Sequence, residues 1–187
     1  MDNRPIGLLD SGLGGLSIAK KVIEKLSNES TVFIGDNAHM PYGNRTKEDI
    51  IDLTRKSVKF LLNNDVKLVI FASNTATAAA MSTIEKEIDP QIIGVIQSGA
   101  LDAARTTKNK KVAVVATSVT VDSHAYEKEI HFRDPEIEVT ELATPKLAPL
   151  VEAQEDHATN LKVVKESLAP LKDKDFDFLL GSIHFID

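Results

Sequence analysis

Asp10-Ser11, Asp36-Asn37, Ser73-Asn74-Thr75, Thr117-Ser118 and Gly181-Ser182-Ile183-His184 share one position in the chain, each standing where an apolar run ends. Together they offer hydroxyls, amides, two carboxylates and an imidazole. That set can hydrogen-bond a small polar ligand and move protons, provided the backbone gathers it. In open parallel sheets, ligands bind outside the carboxyl ends of the strands. Ser, Thr, Asn and Asp are also ordinary N-cap residues, and capping alone accounts for about half of them. It does not account for Ser73-Asn74-Thr75 in a row, or for His184.

The elements that must position these residues alternate in type. Ile6–Leu9, Thr31–Ile34, Leu68–Ala72, Ile92–Ile96, Val112–Ala116, Ile137–Val139 and Phe176–Leu180 read as short strands. Between them the apolar spacing turns helical, as at Leu16, Ile18/Ala19, Val22/Ile23 and Leu26. Thr46-Lys47-Glu48-Asp49 resembles a capping box with Asp for Glu, and an Ala-rich helix follows Ser73-Asn74-Thr75. Apolar strands separated by amphipathic helices imply an α/β fold of parallel sheets flanked by helices. The weakest boundary is near residue 97, at Gln97-Ser98-Gly99-Ala100. We therefore expect two lobes, 1–97 and 98–187, with the pocket between them.

Composition narrows the chemistry. The chain has 187 residues, 42% hydrophobic and 27% charged, with 22 Lys plus Arg against 28 Asp plus Glu and a net charge of -6. An acidic balance lacks the basic face that neutralises phosphates, so no nucleic-acid partner is expected. The apolar runs are too short to span a bilayer and the N-terminus lacks a signal-peptide layout, so no membrane partner and a cytoplasmic location are expected. With no cysteine, disulfides, thiolate metal sites and thiol nucleophiles are excluded. The five histidines (39, 124, 131, 157 and 184) show no metal-ligand spacing, so no metal site is expected.

Two other constellations are weaker than they look. Gly12-x-Gly14-Gly15 after a strand invites a dinucleotide reading with Asp36 as the ribose acid, but the third glycine is Ser17. Asp10 would also face the pyrophosphate, although a bare helix N-terminus there would suit a small anion. Ser182, His184 and Asp187 lie too close together on one loop for a hydrolase relay, and no G-x-S-x-G elbow exists.

The ordered set Leu9-Asp10-Ser11-Gly12-Leu13-Gly14-Gly15-Leu16, Gly35-Asp36, Pro41-Tyr42-Gly43, Ala72-Ser73-Asn74-Thr75-Ala76-Thr77-Ala78, Gly94-Val95-Ile96 and Leu180-Gly181-Ser182-Ile183-His184-Phe185 resembles the bacterial glutamate racemases. Thr117-x-x-Thr120 with Ser123 and Tyr126, and Pro149-Leu150-Val151-Glu152, fit the same family in the same order. The resemblance implies cofactor-independent, two-base racemisation of glutamate, supplying D-glutamate for peptidoglycan. It implies two cysteines on opposite faces of the substrate, at positions held here by Ser73 and Ser182. Asp10 would assist the first position, and Glu152 and His184 the second. Ser11, Pro41, Tyr42, Gly43, Asn74, Thr75, Thr117 and Ile183 would contact the substrate.

The chain departs from the family pattern at both cysteines, at Ile183 where the family usually has Thr, and in ending just past that motif. A serine pair cannot alternate as base and acid at carbon without help, so impaired turnover is expected. The chain is also expected to be marginally stable alone or to self-associate, a homodimer being the simplest form, with the first lobe looser than the second. The rival functions are an inactive binder of a dicarboxylic amino acid and a nucleotide-binding α/β protein.

Overall fold

The computed structural model describes residues 2–153 and 156–182, and of 151–153 the backbone alone. The chain divides into two compact units, Met1–Val95 and Ile96–Asp187. Both have the expected α/β architecture of parallel strands flanked by helices. Among the described residues no helix is long and apolar enough to cross a membrane.

The first unit holds β1 (Ile6–Asp10), α1 (Leu16–Lys25), β2 (Thr31–Gly35), α2 (Lys47–Asn63), β3 (Leu68–Phe71), α3 (Asn74–Ile84) and β4 (Gln91–Gly94). Its sheet runs β2-β1-β3-β4, all parallel. β1 and β3 are interior strands, which explains the apolar runs Ile6–Leu9 and Leu68–Phe71: every residue of β1 is buried, Asp10 at its end included. Ile6 and Leu8 pack with Ala19, Ile18 and Val22 of α1. On the opposite face Gly7 lies under Leu61 of α2, where a Cβ would sit 3.1 Å from its Cδ1.

The helix starts follow local chemistry. Thr46 caps α2 by accepting a hydrogen bond from the Asp49 N–H at 3.2 Å. Along α1 the core takes Ala19, while Leu16 and Ile23 stay about half exposed on its flank, so the apolar stripe is narrower than the sequence pattern. Val95 and Ile96, read as the end of a strand, instead open α4 (Val95–Thr106). β-branched residues at a strand-to-helix junction carry no period that distinguishes the two states.

The second unit continues with β5 (Lys111–Ala116), α5 (Ser118–Asp122), α6 (Ala125–Arg133), β6 (Glu138–Ala143), α7 (Leu147–Ala153), α8 (His157–Leu168) and β7 (Phe178–Gly181). The sheet order is β6-β5-β7, again parallel. Ala113, Val115 and Leu171 form the core of one face, joined by Leu142, Leu168 and Phe176. β6 begins a residue later than the sequence reading and extends through Thr140 and Glu141. As an edge strand it has a ladder on one side only, and polar residues are tolerated there. β7 starts at Phe178, two residues later than the sequence reading, and the Asp177 carboxylate just before it accepts hydrogen bonds from the Thr107 hydroxyl and the Lys108 and Asn109 N–H groups.

Candidate active site

In the first unit the candidate residues converge at the carboxyl ends of β1, β2 and β3. Asp10 ends β1, and its buried carboxylate is clasped by the glycine-rich turn. Oδ2 accepts from the Gly12 N–H at 3.2 Å and the Gly15 N–H at 2.9 Å. Oδ1 is buried and has no hydrogen-bond partner among the described residues. The amides at the start of α1 that would have greeted a phosphate are therefore occupied by the protein's own carboxylate. This corrects the reading of a bare helix N-terminus open to a small anion, and it removes the physical basis for dinucleotide binding there.

Close approach, rather than conformation, demands glycine in this turn. Gly15 has ordinary helical angles, φ -63° and ψ -11°, yet a Cβ would stand 2.6 Å from the Asp10 Cβ and 2.9 Å from the Ala72 Cβ. At Gly35 a Cβ would meet the Gly12 carbonyl oxygen at 2.3 Å. The sequence offered the glycines only a weak phosphate-binding reading. The structure uses them to bring three strand exits together.

Ser73 follows β3, the neighbour of β1, and is the N-cap of α3. Its Oγ accepts from the Ala76 N–H at 3.2 Å and donates to Ser11 Oγ at 3.3 Å. Ser73 is buried, as is Thr75 one residue into the helix beyond Asn74. Thr77 Oγ1 donates to the Ser73 carbonyl at 2.7 Å and reinforces the first turn.

The loop after β2 brings in Pro41, Tyr42 and Gly43. Tyr42 is buried in a short 3-10 turn, Tyr42–Asn44, and donates its hydroxyl proton to Asp36 Oδ2 at 2.7 Å. Asp36 Oδ1 meets His39 Nδ1 at the same distance, and the Arg45 Nε–H binds the His39 carbonyl at 2.8 Å. Burial and the adjacent Asp36 carboxylate push the Tyr42 phenol well above its ordinary value, so it stays a hydroxyl donor. Asp36 thus organises this loop, a role the sequence reading did not give it. The available signal was the spacing of Asp36, His39 and Tyr42 after a strand end.

In the second unit Thr117 follows β5 and caps α5. Its Oγ1 lies 3.1 Å from Thr120 Oγ1 and accepts from the Thr120 N–H. Ser182 follows β7, buried, with its N–H bonded to the Val115 carbonyl at 2.8 Å. Its Oγ is buried without a hydrogen bond of normal geometry among the described residues, with the Tyr126 hydroxyl nearby. Burial pushes the Tyr126 phenol up. Glu152 falls in α7, where its side chain lies outside the description, and Ile183 and His184 lie outside the described residues. The expectation that Asp10, Ser11, Tyr42, Asn74, Thr75 and His184 line one cleft therefore reaches structure only for its first five members. These are drawn from three adjacent strand exits.

Parallel sheets with polar residues gathered at strand exits, and a carboxylate fixed beside hydroxyls, form an arrangement whose chemistry suits a small polar molecule. The chain matches the Asp/Glu/Hydantoin racemase family over residues 6–180 and belongs to it. It is 78% identical over 186 residues to the glutamate racemase of Lactobacillus acidophilus, covering 99% of this chain and 70% of that one. Among solved structures, a glutamate racemase isoform from Bacillus anthracis superposes with a TM-score of 0.95 at 38% identity, covering 98% of this chain and 70% of that one. The glutamate racemase of Francisella tularensis in complex with D-glutamate gives 0.90 at 34% identity, covering 98% of this chain and 70% of that one.

Proposed function

We propose that this chain carries the glutamate-recognition machinery of a cofactor-independent glutamate racemase, with proton transfer disarmed at both positions. The observation that carries the reading is the Asp10–Ser11–Ser73 group. One carboxylate oxygen is fixed by two backbone amides, the other is buried and open, and Ser73 is joined to Ser11 across the adjacent strand. An open buried acceptor costs free energy unless a donor arrives, and the ammonium of an amino acid is such a donor.

Racemisation removes the α-hydrogen on one face and returns a proton on the other. A thiol, with a reference pKa of about 8.5, can be tuned to serve as either partner near neutral pH. A serine hydroxyl is far too weak an acid to be ionised there, and too weak a base when protonated. In this reading Ser73 and Ser182 occupy the two proton-transfer positions. Asp10 assists the first, Glu152 and His184 assist the second, and Ser11, Pro41, Tyr42, Gly43, Asn74, Thr75, Thr117 and Ile183 contact the substrate. The protein binds glutamate in the cytoplasm, on the route to D-glutamate for peptidoglycan, and assembles as a homodimer.

The experiment is exchange of the α-hydrogen of D- and L-glutamate in deuterated water. The chain is expected to bind glutamate with little exchange, and Ser73→Cys with Ser182→Cys to raise exchange by orders of magnitude. Ser73→Cys alone should permit one-sided exchange without net racemisation. Failure to bind glutamate calorimetrically, or an equally inert double variant that still binds it, would overturn the assignment of these positions.

A further inference from the structure

The second unit carries a group of ionisable side chains that racemase chemistry does not use. His124, Glu127 and Glu141 each bring one ligand atom to within 4.8 Å of the others. His124 is the N-cap of α6 and Glu127 lies in its first turn, three residues on, so both share one side of the helix start. Glu141 comes from β6, in register with Val114 of β5. The histidine spacing in the sequence gives no metal signature because the third group arrives from another element.

From this geometry we propose that His124 Nδ1 and the carboxylates of Glu127 and Glu141 form a binding site for a divalent transition-metal ion of the zinc type. Nδ1 lies 2.7 Å from Glu141 Oε2 and 3.2 Å from Glu127 Oε2. A zinc-type ion bound tetrahedrally at about 2.0–2.2 Å from nitrogen and oxygen ligands holds neighbouring donors roughly 3.3–3.6 Å apart. The observed contacts are ion pairs that must open by roughly 0.1–0.9 Å to admit an ion, a movement within reach of the exposed His124 and Glu127 side chains.

A second observation points to a missing partner. The Glu141 side chain is only 7% exposed, and its Oε1 is buried with no hydrogen-bond partner among the described residues. Burial pushes its carboxyl up, and the His124 contact only partly offsets this. A half-exposed imidazole compensates one oxygen of a buried carboxylate, whereas a dication would compensate the whole group. The ligand set, one imidazole nitrogen with carboxylate oxygens and no thiolate, suits zinc or cobalt better than the oxygen-seeking magnesium or calcium. An ion there would tie the first turn of α6, which carries Tyr126, to β6.

The test uses the full chain after chelator treatment, titrated with zinc alone by calorimetry at about pH 7.5. Cobalt absorption spectra and thermal melts accompany it, since occupancy of a native-state site raises the melting temperature. Saturable binding of one equivalent is expected, weakening at least tenfold in His124→Asn and Glu127→Gln and unchanged in His157→Gln, which alters an exposed histidine elsewhere. Asn tolerates the left-handed backbone of His124, φ 53°, and Glu127→Gln is a conservative change near the surface, so folded variants are available. Absence of saturable binding, or binding equally strong in both site variants, would overturn the proposal. So would loss of binding in His157→Gln.

Discussion

Adding a single methyl group at Gly15 should damage both the stability and the binding site of the first unit. Gly15 needs no special backbone freedom, because its angles are those of any helical residue. The cost of Gly15→Ala is therefore steric. Ordinary contact begins at 3.4 Å, whereas the new Cβ would lie 2.6 Å from the Asp10 Cβ and 2.9 Å from the Ala72 Cβ. One of them must retreat by roughly 0.8 Å, and neither is the free end of a flexible side chain. Asp10 ends β1 and Ala72 follows β3, both interior strands held by ladders on two sides. The start of α1 must give way instead, pulling the Gly12 and Gly15 amides off the Asp10 carboxylate.

Overpacking of this kind costs about 1–3 kcal/mol. For a chain of this size each kcal/mol moves the melting temperature by roughly 2–4 °C. Gly181→Ala is the matched control, because a Cβ there meets nothing within 4 Å. Removing glycine from that strand should be neutral or stabilise by about 0.5–1 kcal/mol. Melts followed by circular dichroism, paired with glutamate calorimetry, read both effects. If Gly15→Ala melts within about 1 °C of the parent and binds glutamate equally well, the turn can retreat freely and the close-approach argument is wrong.

Tyr42→Phe removes the donor to Asp36 and should cost about 1–2 kcal/mol in a urea melt, with weaker glutamate binding; an unchanged midpoint would show that the loop does not need the bond. Asp177→Asn tests a pH dependence. Hydrogen bonds from Thr107 and then the Lys108 N–H hold the Asp177 carboxyl below its ordinary 3.8, so its contribution to stability is present above pH 3.8 and lost as pH falls through the lowered native value. The variant should show a flatter acid limb in a pH series of melts, and an unchanged limb would refute the assignment. Ser73→Cys should lose about 1 kcal/mol of stability in denaturant melts, because the Ala76 N–H loses its capping oxygen; equal stability would show that the cap contributes nothing.

The interior strands were legible because burial on both faces writes an unbroken apolar run, as at Leu68–Phe71 and Val112–Ala116. Their edges were less so. Val95 and Ile96 looked like strand, and β6 carried Glu141 because an edge strand need not be apolar throughout. Five-residue α5 is too short for a helical period to show. In the candidate site, spacing and strand exits located Asp10, Ser11 and Ser73. No pattern could announce that the Asp10 carboxylate turns back onto the glycine amides, since that depends on two residues five apart meeting around a turn. The Asp36–Tyr42 bond and the His124–Glu141 contact were hidden for the same reason: each is made by a loop or strand register that residue order leaves open.

Ser73 shows why a preserved fold and a preserved chemistry are separate demands on one atom. As an N-cap, position 73 needs a small acceptor oxygen in reach of the Ala76 N–H, and serine is among the best residues for that task. In the proton-transfer role proposed for it, the same position needs an acid whose ionisation lies near neutral pH, and serine is among the worst. The two requirements act on different free energies: one on the stability of α3, the other on the barrier to removing an α-hydrogen. The substitution can therefore leave the strand exits, the Ser11 contact and the clasp on Asp10 in place while stopping turnover. Glutamate affinity and α-hydrogen exchange should separate in this chain, and Ser73→Cys with Ser182→Cys should raise exchange while lowering the stability of the first unit.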